Sequence, residues 1–169
     1  MLYFFNIVLY SVYSYGGESI SFPVSTEINK ALLSNFTISS ALNRDFIPLI
    51  YDNDSERFRD EEVSIIVKTN IHESVNENYS YKYTIENLES SCSINSVKLY
   101  QDVIDLYINN EKFISNEILS DKSFAFSELD SNNLKQNTDI FTLKTNRKIP
   151  RSKPVFCTGH VDYVIELFL

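Results

Sequence analysis

The chain has 169 residues, with 15 Lys or Arg against 23 Asp or Glu, so its formal net charge is −8 at pH 7. This length suits one domain with a sizeable core, and the negative charge leaves no basic surface to neutralise the phosphates of a nucleic acid. Apolar residues make up 43% of the chain, which excludes a disordered acidic tail. The presence of only three glycines and two histidines excludes a glycine-rich phosphate loop and a histidine-rich metal site.

The first residues have the character of an export signal. Met1 to Tyr15 contains no charged side chain, and its apolar run from Leu2 to Leu9 is shorter than the ~20 residues that a transmembrane helix needs. Residues 12–14 are compatible with cleavage before Tyr15. We therefore interpret residues 1–14 as a secretory signal peptide, although the usual positive charge after the first methionine is missing. The alternatives are a longer signal that begins upstream and a buried first strand.

Cys92 and Cys157 are the two cysteines of the chain. In an exported protein an even number of cysteines predicts a disulfide. The alternative is a pair of unpaired buried thiols in a cytosolic protein. Neither cysteine has a second cysteine or a set of histidines at zinc-ligand spacing, so no metal site is predicted here.

Apolar and polar side chains alternate with a period of two along most of the chain, which predicts β-strands. In the first of these strands, the residues that share one face are Ile20, Phe22, Val24, Thr26 and Ile28. Further strands are predicted at Val63–Thr69, Tyr79–Ile85, Val103–Ile108, Lys112–Ile118, Ile140–Thr145 and Val161–Leu169. Short strands at regular intervals predict an all-β protein, a single antiparallel β-sandwich.

Three local patterns leave alternatives open. Asn109, Asn110 and Glu111 between two predicted strands indicate a hairpin turn. The segments 29–33 and 124–134 have room for a turn or two of helix, although neither has a sustained apolar stripe. The alternating residues Tyr79, Tyr81 and Tyr83 are either part of the core or an exposed binding stripe.

The predicted strand at 20–28 has the form of a strand that can be donated to another molecule. Five same-face side chains over nine residues are what the addition of a strand to an exposed sheet edge requires. Pro23 is compatible with this role if its missing N–H faces solvent. A sheet that lacked one strand beside Val161–Leu169 would leave an exposed apolar groove for such a donor. The alternative is that residues 20–28 form the first strand of their own sandwich.

In the order of its elements the chain resembles subunits of chaperone–usher fimbriae, especially those of the colonisation-factor type. The elements that carry the resemblance are an alternating N-terminal donor at Ile20–Ile28, a central hairpin at Val103–Ile118, and a closing strand announced by a glycine. The alternating positions of that closing strand are Gly159, Val161, Tyr163, Ile165 and Leu167.

The resemblance implies an incomplete immunoglobulin-like β-sandwich over residues 30–169, preceded by a donor extension over residues 15–29. It also implies polymerisation by donor-strand exchange with neighbouring subunits, a periplasmic chaperone and an outer-membrane usher. The subunit would then lie at the cell surface in a fimbrium and support attachment to a host receptor.

A second interpretation is a secreted viral β-sandwich protein that binds a host cytokine or receptor. The residue usage is typical of AT-rich coding sequences. Asn35, Asn53 and Asn78 each begin an acceptor sequence for N-glycosylation, a modification of the eukaryotic secretory route. Such acceptor sequences also arise by chance in a chain rich in Asn and Ser.

No catalytic motif is apparent, and we expect neither enzymatic activity nor a cofactor. His72 and His160 are the two imidazoles, and no Gly-x-Ser-x-Gly turn accompanies them. The more plausible roles are a solvent-facing His72 and a strand-end His160.

Two charged segments were considered as binding sites. The acidic run from Asp52 to Glu62 lacks the Gly and Glu that a calcium loop needs, because Arg57 and Val63 stand at those positions, so we expect a solvated loop. A basic cluster precedes the closing strand and is either a contact for an anion or a solubilising loop. Its residues are Arg147, Lys148, Arg151 and Lys153.

Overall fold

The computed structural model describes the backbone of residues 19–28 and, with their side chains, residues 36–113, 122–150 and 155–168. Within these residues there are thirteen strands and no helix, and so no helical segment that is able to cross a membrane. In chain order the strands are β1 (Ser19–Ile28), β2 (Ile38–Leu42), β3 (Phe46–Asp52), β4 (Arg57–Phe58), β5 (Glu61–His72), β6 (Ser80–Ile94), β7 (Val97–Gln101), β8 (Ile104–Ile108), β9 (Glu111–Phe113), β10 (Phe124–Ala125), β11 (Glu128–Leu129), β12 (Leu134–Thr145) and β13 (Phe156–Phe168).

The strands form two sheets that pack as a sandwich. The first sheet has the order β10-β6-β13-β1-β3-β4, with β7 also paired to β6. The second has the order β2-β5-β12-β8-β9, with β11 also paired to β12. The chain is therefore an all-β, immunoglobulin-like sandwich, as predicted. The predicted signal peptide, residues 1–14, lies outside the described residues.

The core lies between the two sheets and follows the predicted alternation. In β5, Val63, Ile65 and Val67 are fully buried, while the residues between them are less so. In β6, Tyr81 and Tyr83 are buried, so these tyrosines belong to the core rather than to an exposed binding stripe. A two-residue period buries one face of each strand because successive side chains point to opposite sides of the sheet.

Two of the hairpins in the described part of the chain have tight turns with asparagine at positive φ. Asn109 and Asn110, between β8 and β9, have φ angles of 49° and 69°. Asn95 and Ser96, between β6 and β7, have φ angles of 48° and 66°. Two successive positive φ angles are typical of the tight turns whose twist matches that of the flanking strands. The predicted hairpin turn is thus confirmed, although its second strand is described only as far as Phe113.

The predicted helical turn in the segment 124–134 is wrong. The segment instead contributes β10 and β11, followed by a loop closed by a side chain. Asp130 Oδ1 accepts the backbone N–H groups of Asn132 and Leu134 at 2.8 and 2.9 Å, and Asn133 has a φ of 58°. A carboxylate that accepts nearby backbone N–H groups stabilises a turn in place of a helix. The other segment, 29–33, lies outside the described residues.

The cysteines form the predicted disulfide. Cys92 of β6 and Cys157 of β13 stand directly opposite each other in the two neighbouring strands, and both are buried. The bond closes a sequence separation of 65 residues, which restricts the unfolded chain.

We expect the double substitution Cys92→Ala/Cys157→Ala to lower the free energy of unfolding by about 4 kcal/mol, because the unfolded chain regains the entropy of a long loop. Guanidinium titration of the parent and the variant measures this difference. Ser91→Ala/Thr158→Ala, which alters the next pair of the same two strands, is the matched control and changes the unfolding free energy by less than about 1 kcal/mol. Equal losses in the two variants would contradict the expectation.

Candidate functional site: the slot filled by the N-terminal strand

The N-terminal strand lies inside the first sheet of its own chain. β1 pairs in parallel with β13 on one side and antiparallel with β3 on the other. All other described pairings are antiparallel. We call the space between β13 and β3 the β1 slot. Without β1, these two strands would each present an unpaired edge to the slot.

The alternating residues singled out in β1 are in register with buried residues of the flanking strands. The pairs are Ile20 with Leu49 and Cys157, Phe22 with Ile47, Val24 with Val161, Thr26 with Tyr163, and Ile28 with Ile165. Every one of these partners is buried. Because opposed residues of neighbouring strands share a face of the sheet, the five positions lie on the face that is turned toward the core.

The donor-strand interpretation requires the missing N–H of Pro23 to face solvent, and the position of Pro23 in the sheet does not meet this requirement. A proline in a strand is expected at a sheet edge, where its missing N–H faces solvent. Pro23 instead lies between two strands. It is paired with Phe46 of β3. The ladder to β13, however, is interrupted between the Ser21–Thr158 pair and the Val24–Val161 pair. The missing donor therefore weakens the pairing of β1 with β13 at the middle of the strand.

The strands that flank the slot supply an apolar surface. Val161, Tyr163 and Ile165 of β13 are buried, as are Ile47 and Leu49 of β3. Among the other predicted positions of the closing strand, Gly159 is buried and Leu167 is partly buried against the core. These side chains would lose their cover if β1 left, which is the arrangement expected of a groove that takes up an added strand.

One polar group lies in this apolar surface. The hydroxyl of Tyr163 is 3.2 Å from the Oγ of Ser40, a residue of β2 in the opposite sheet. The Tyr163 ring contacts those of Tyr83 and Phe141 edge-on, with centroids 5.8 and 5.3 Å away. Tyr163 is the register partner of Thr26. Its contacts therefore fix the separation of the two sheets at that position.

A buried carboxylate, which the sequence reading did not identify, joins the sheets beside the slot. Asp139 of β12 is fully buried, and its Oδ2 accepts the hydroxyls of Tyr81 and Tyr83 at 2.5 and 2.7 Å. Its Oδ1 accepts the amides of Asn109 and Asn137 at 2.6 and 2.9 Å. Four donors compensate for the water that the carboxylate has lost. Alternation along β12 places position 139 on the same face as positions 141 and 143, and this pattern is the sequence signal that could have identified Asp139 as buried.

The two tyrosines of this cluster hold their protons tightly. Burial and the hydrogen bond to Asp139 raise the pKa of Tyr81 above its ordinary value of 10. Burial and the negative charge of Asp139 raise the pKa of Tyr83 in the same direction. A deprotonated tyrosine would be a second anion against a buried carboxylate, so the cluster depends on both hydroxyls remaining protonated.

The two histidines lie in different sheets. His72, at the exposed end of β5, accepts the backbone N–H of Ser74 through Nδ1 at 3.2 Å, as a turn cap does. His160 of β13 has its Nε2 at 2.7 Å from the amide of Asn87 and 3.7 Å from Asp162. Each imidazole is therefore held by local contacts on its own strand or its neighbour.

The acidic run is not a single loop: it starts at the end of β3, forms the turn to β4, and continues through β4 to the first residues of β5. A hydrogen bond from the Ser55 side chain and one from the backbone N–H of Asp54 lower the pKa of Asp52. Across the described ranges, no three His, Cys, Asp or Glu side chains come together as a metal site.

The remaining predicted features lie at exposed positions or outside the described residues. Lys148 Nζ is 4.0 Å from Glu56, whereas Arg151 and Lys153 of the basic cluster are not described. Of the glycosylation acceptors, Asn53 and Asn78 are exposed and Asn35 is not described.

Comparison of the chain with models of protein families finds no match, and comparison with curated proteins finds none either.

We expect the free energy of unfolding to fall as the pH rises above about 10. Below that pH both states keep their tyrosine protons, and above it the unfolded chain releases protons that folded Tyr81 and Tyr83 retain. The slope is about 1.4 kcal/mol per pH unit for each tyrosine. Urea titrations between pH 8 and pH 11 measure it.

Tyr83→Phe separates this effect from general alkaline damage. The variant is less stable than the parent at pH 8, because Asp139 loses a donor, but its stability declines less steeply above pH 10. Tyr107→Phe removes a tyrosine outside the cluster and is the matched control, because it leaves both hydroxyl donors to Asp139 in place. An unchanged slope in Tyr83→Phe would contradict the role given to this hydroxyl.

Proposed function

We propose that the chain is an exported structural subunit of a fimbrium or adhesin that assembles when β1 of one subunit enters the β1 slot of the next. The observation that supports this most strongly is the position of β1 between β13 and β3. It is a strand from the N-terminal part of the chain that completes a sheet whose remaining strands come from residues 46–168. A strand at one end of a folded unit is the easiest element to exchange between identical molecules.

Exchange preserves the contacts that the closed monomer makes. The pairings of β1 with β13 and β3 are the same whether the strand comes from the same chain or from a neighbour. The two forms differ in which chain supplies β1. Because the exchanged strand makes the same hydrogen-bonded pairs, little free energy of pairing is lost, and such a swap is a low-cost route to a polymer.

Pro23 also supports exchange. In a strand that lies permanently inside a sheet, a residue with an N–H would complete the ladder to β13, whereas Pro23 leaves it interrupted. The rule that a proline in a strand lies at a sheet edge is a local sequence rule, and departures from such rules occur most often at functional positions. A strand held by an interrupted ladder leaves its slot more readily than one held along its whole length.

An assembly pathway of this kind accounts for the partners that the resemblance to fimbrial subunits implies. A subunit whose slot is empty exposes the apolar side chains of β13 and β3 and would aggregate unless another protein covered them. A periplasmic chaperone and an outer-membrane usher would provide that cover until the next subunit arrives. The Cys92–Cys157 disulfide is in keeping with an oxidising compartment outside the cytosol. Attachment to a host receptor would be the role of the assembled fibre.

A second candidate is a secreted monomer that binds a host cytokine or receptor. The intramolecular position of β1 favours it, because the sandwich of a single chain already has its slot filled. Under this candidate β1 is a permanent part of the fold.

A cross-link between β1 and its own slot distinguishes the two candidates. Ser21 and Thr158 are opposed in β1 and β13, and Ser21→Cys/Thr158→Cys joined by a short thiol-specific cross-linker ties β1 to its own chain. We expect the uncross-linked monomer, concentrated after partial denaturation, to form heat-resistant linear multimers, while the cross-linked monomer does not. Size exclusion with light scattering measures the difference.

The matched control is Asp105→Cys/Lys144→Cys, an opposed pair in β8 and β12 of the second sheet. Its cross-link leaves β1 free, so multimers form as in the parent. A parent chain that remains monomeric through the same treatment would overturn the exchange proposal in favour of the monomeric binder. Multimers that form equally well from the β1-cross-linked chain would show that assembly uses a different surface.

A further inference from the structure

β3 has one edge that β1 does not cover. On the side away from β1, β4 pairs only with the last two residues of β3, and none of the other described strands pairs with residues 46–49 there. Phe46 and Ile50 are 52% and 54% exposed, and Pro48 between them is exposed as well. A strand edge of this kind is a template on which a strand of another molecule can pair.

A backbone hydrogen bond shows which residues of β3 face this edge. The carbonyl of Ile50 accepts the backbone N–H of Arg59, the residue after β4, at 2.8 Å. In an antiparallel strand the N–H and C=O groups of one residue point to the same side, and those of the next residue point to the other. Phe46 and Pro48 therefore face the uncovered edge together with Ile50, whereas the residues between them face β1.

Pro48 consequently lacks its N–H at the centre of the uncovered edge. A proline has no backbone N–H, so it removes a hydrogen bond from the ladder on the side that it faces. The ladder between β3 and β1 is unaffected, because it uses the backbone groups of Ile47 and Leu49, which are in register with Phe22 and Ile20. The cost of the proline therefore falls on any strand that would add to β3 from outside.

The strand that fits this edge best is β3 of a second copy. Two such strands that pair in antiparallel about Pro48 place Phe46 opposite Ile50 and Pro48 opposite itself, as a two-fold axis requires. Residues 46–50 carry no charge, so two chains of net charge −8 would have no like-charge pair within this segment. The central pair would lack both of its hydrogen bonds, because each copy contributes a proline there.

We propose that Pro48 closes the β3 edge to a second copy of the chain, and that this edge becomes a self-association surface when position 48 carries an N–H. The inference goes beyond the proposed function, because it concerns the outer edge of β3 and not the β1 slot. Without this proline, an uncharged strand edge with two exposed apolar side chains would pair with its own copy. The proline thereby leaves association to other surfaces of the molecule.

Pro48→Thr in the full exported chain tests this inference. Threonine supplies the N–H, is a good strand former, and carries a hydroxyl, so that added apolar surface is not the cause of any new association. We expect the dissociation constant of the dimer to be roughly thirtyfold lower than that of the parent, because the central pair regains two hydrogen bonds. Sedimentation equilibrium over a range of concentrations measures the difference. Pro48→Val, with a different side chain and the same N–H, gives the same expected result.

Two further variants identify the surface that associates. Pro150→Thr removes an exposed proline outside the strands and is the matched control, which behaves as the parent does. Pro48→Thr/Ile50→Lys keeps the new N–H but adds a charge at the edge, and lysine is a residue that keeps strand edges unpaired. We expect this double variant to return to the monomer. In the Pro48→Thr dimer, the amide at position 48 is protected from hydrogen exchange, and dilution removes the protection.

Two results would overturn the inference. One is that Pro48→Thr and Pro48→Val, folded by circular dichroism, associate no more than Pro150→Thr does. The other is that Ile50→Lys leaves the association of Pro48→Thr unchanged. Strand exchange is distinguishable in the same experiment, because it requires partial denaturation and gives heat-resistant multimers, whereas the edge dimer forms from the native monomer and dissociates on dilution. A parent chain that does not exchange β1 leaves this test as it is.

Discussion

The sandwich depends on the pairing of β1 with β13 on one side and β3 on the other. These two strands are neighbours of β1 and not of each other, so the first sheet is continuous only while β1 lies between them. The buried residues that line the slot belong to the same core as those of the second sheet. Removal of one strand would therefore expose part of the main core rather than a peripheral patch, and apolar exposure on that scale drives association.

The rest of the structure holds β13 in position without help from β1. The Cys92–Cys157 bond joins β13 to β6 at one end of the slot. Further along β6, Tyr81 and Tyr83 join that strand to β12 through Asp139. Both ties are made among residues 81–157 and are independent of where β1 comes from. If β1 is exchanged as proposed, a slot whose side is held in this way would keep its shape until another strand arrives.

The sequence was informative where buried apolar residues alternate with polar ones, and less informative where the exposed face is also apolar or the strand is largely exposed. Most of β1, the middle of β5, the second half of β12 and most of β13 were predicted from their alternation. The short strands β2, β3 and β7 were not, because β3 reads as a nearly continuous apolar run around Pro48 and β7 is largely exposed. Asp139 was missed since three of its four donors come from positions far from it in the chain. The position of Pro23 inside the sheet was missed because a local rule places such a proline at an edge.

The pairing of Ile20 with Cys157 brings together residues from opposite parts of the chain. Contacts between residues so distant in sequence form slowly, because a large loop must close before they contribute. Until β13 has folded, β1 can pair with only one of its two described partners, β3, and under the proposed exchange a neighbour with an open slot would compete for it. Under the proposed exchange, closure and assembly would therefore compete kinetically, and the outcome would depend on the concentration of subunits while β1 is unpaired.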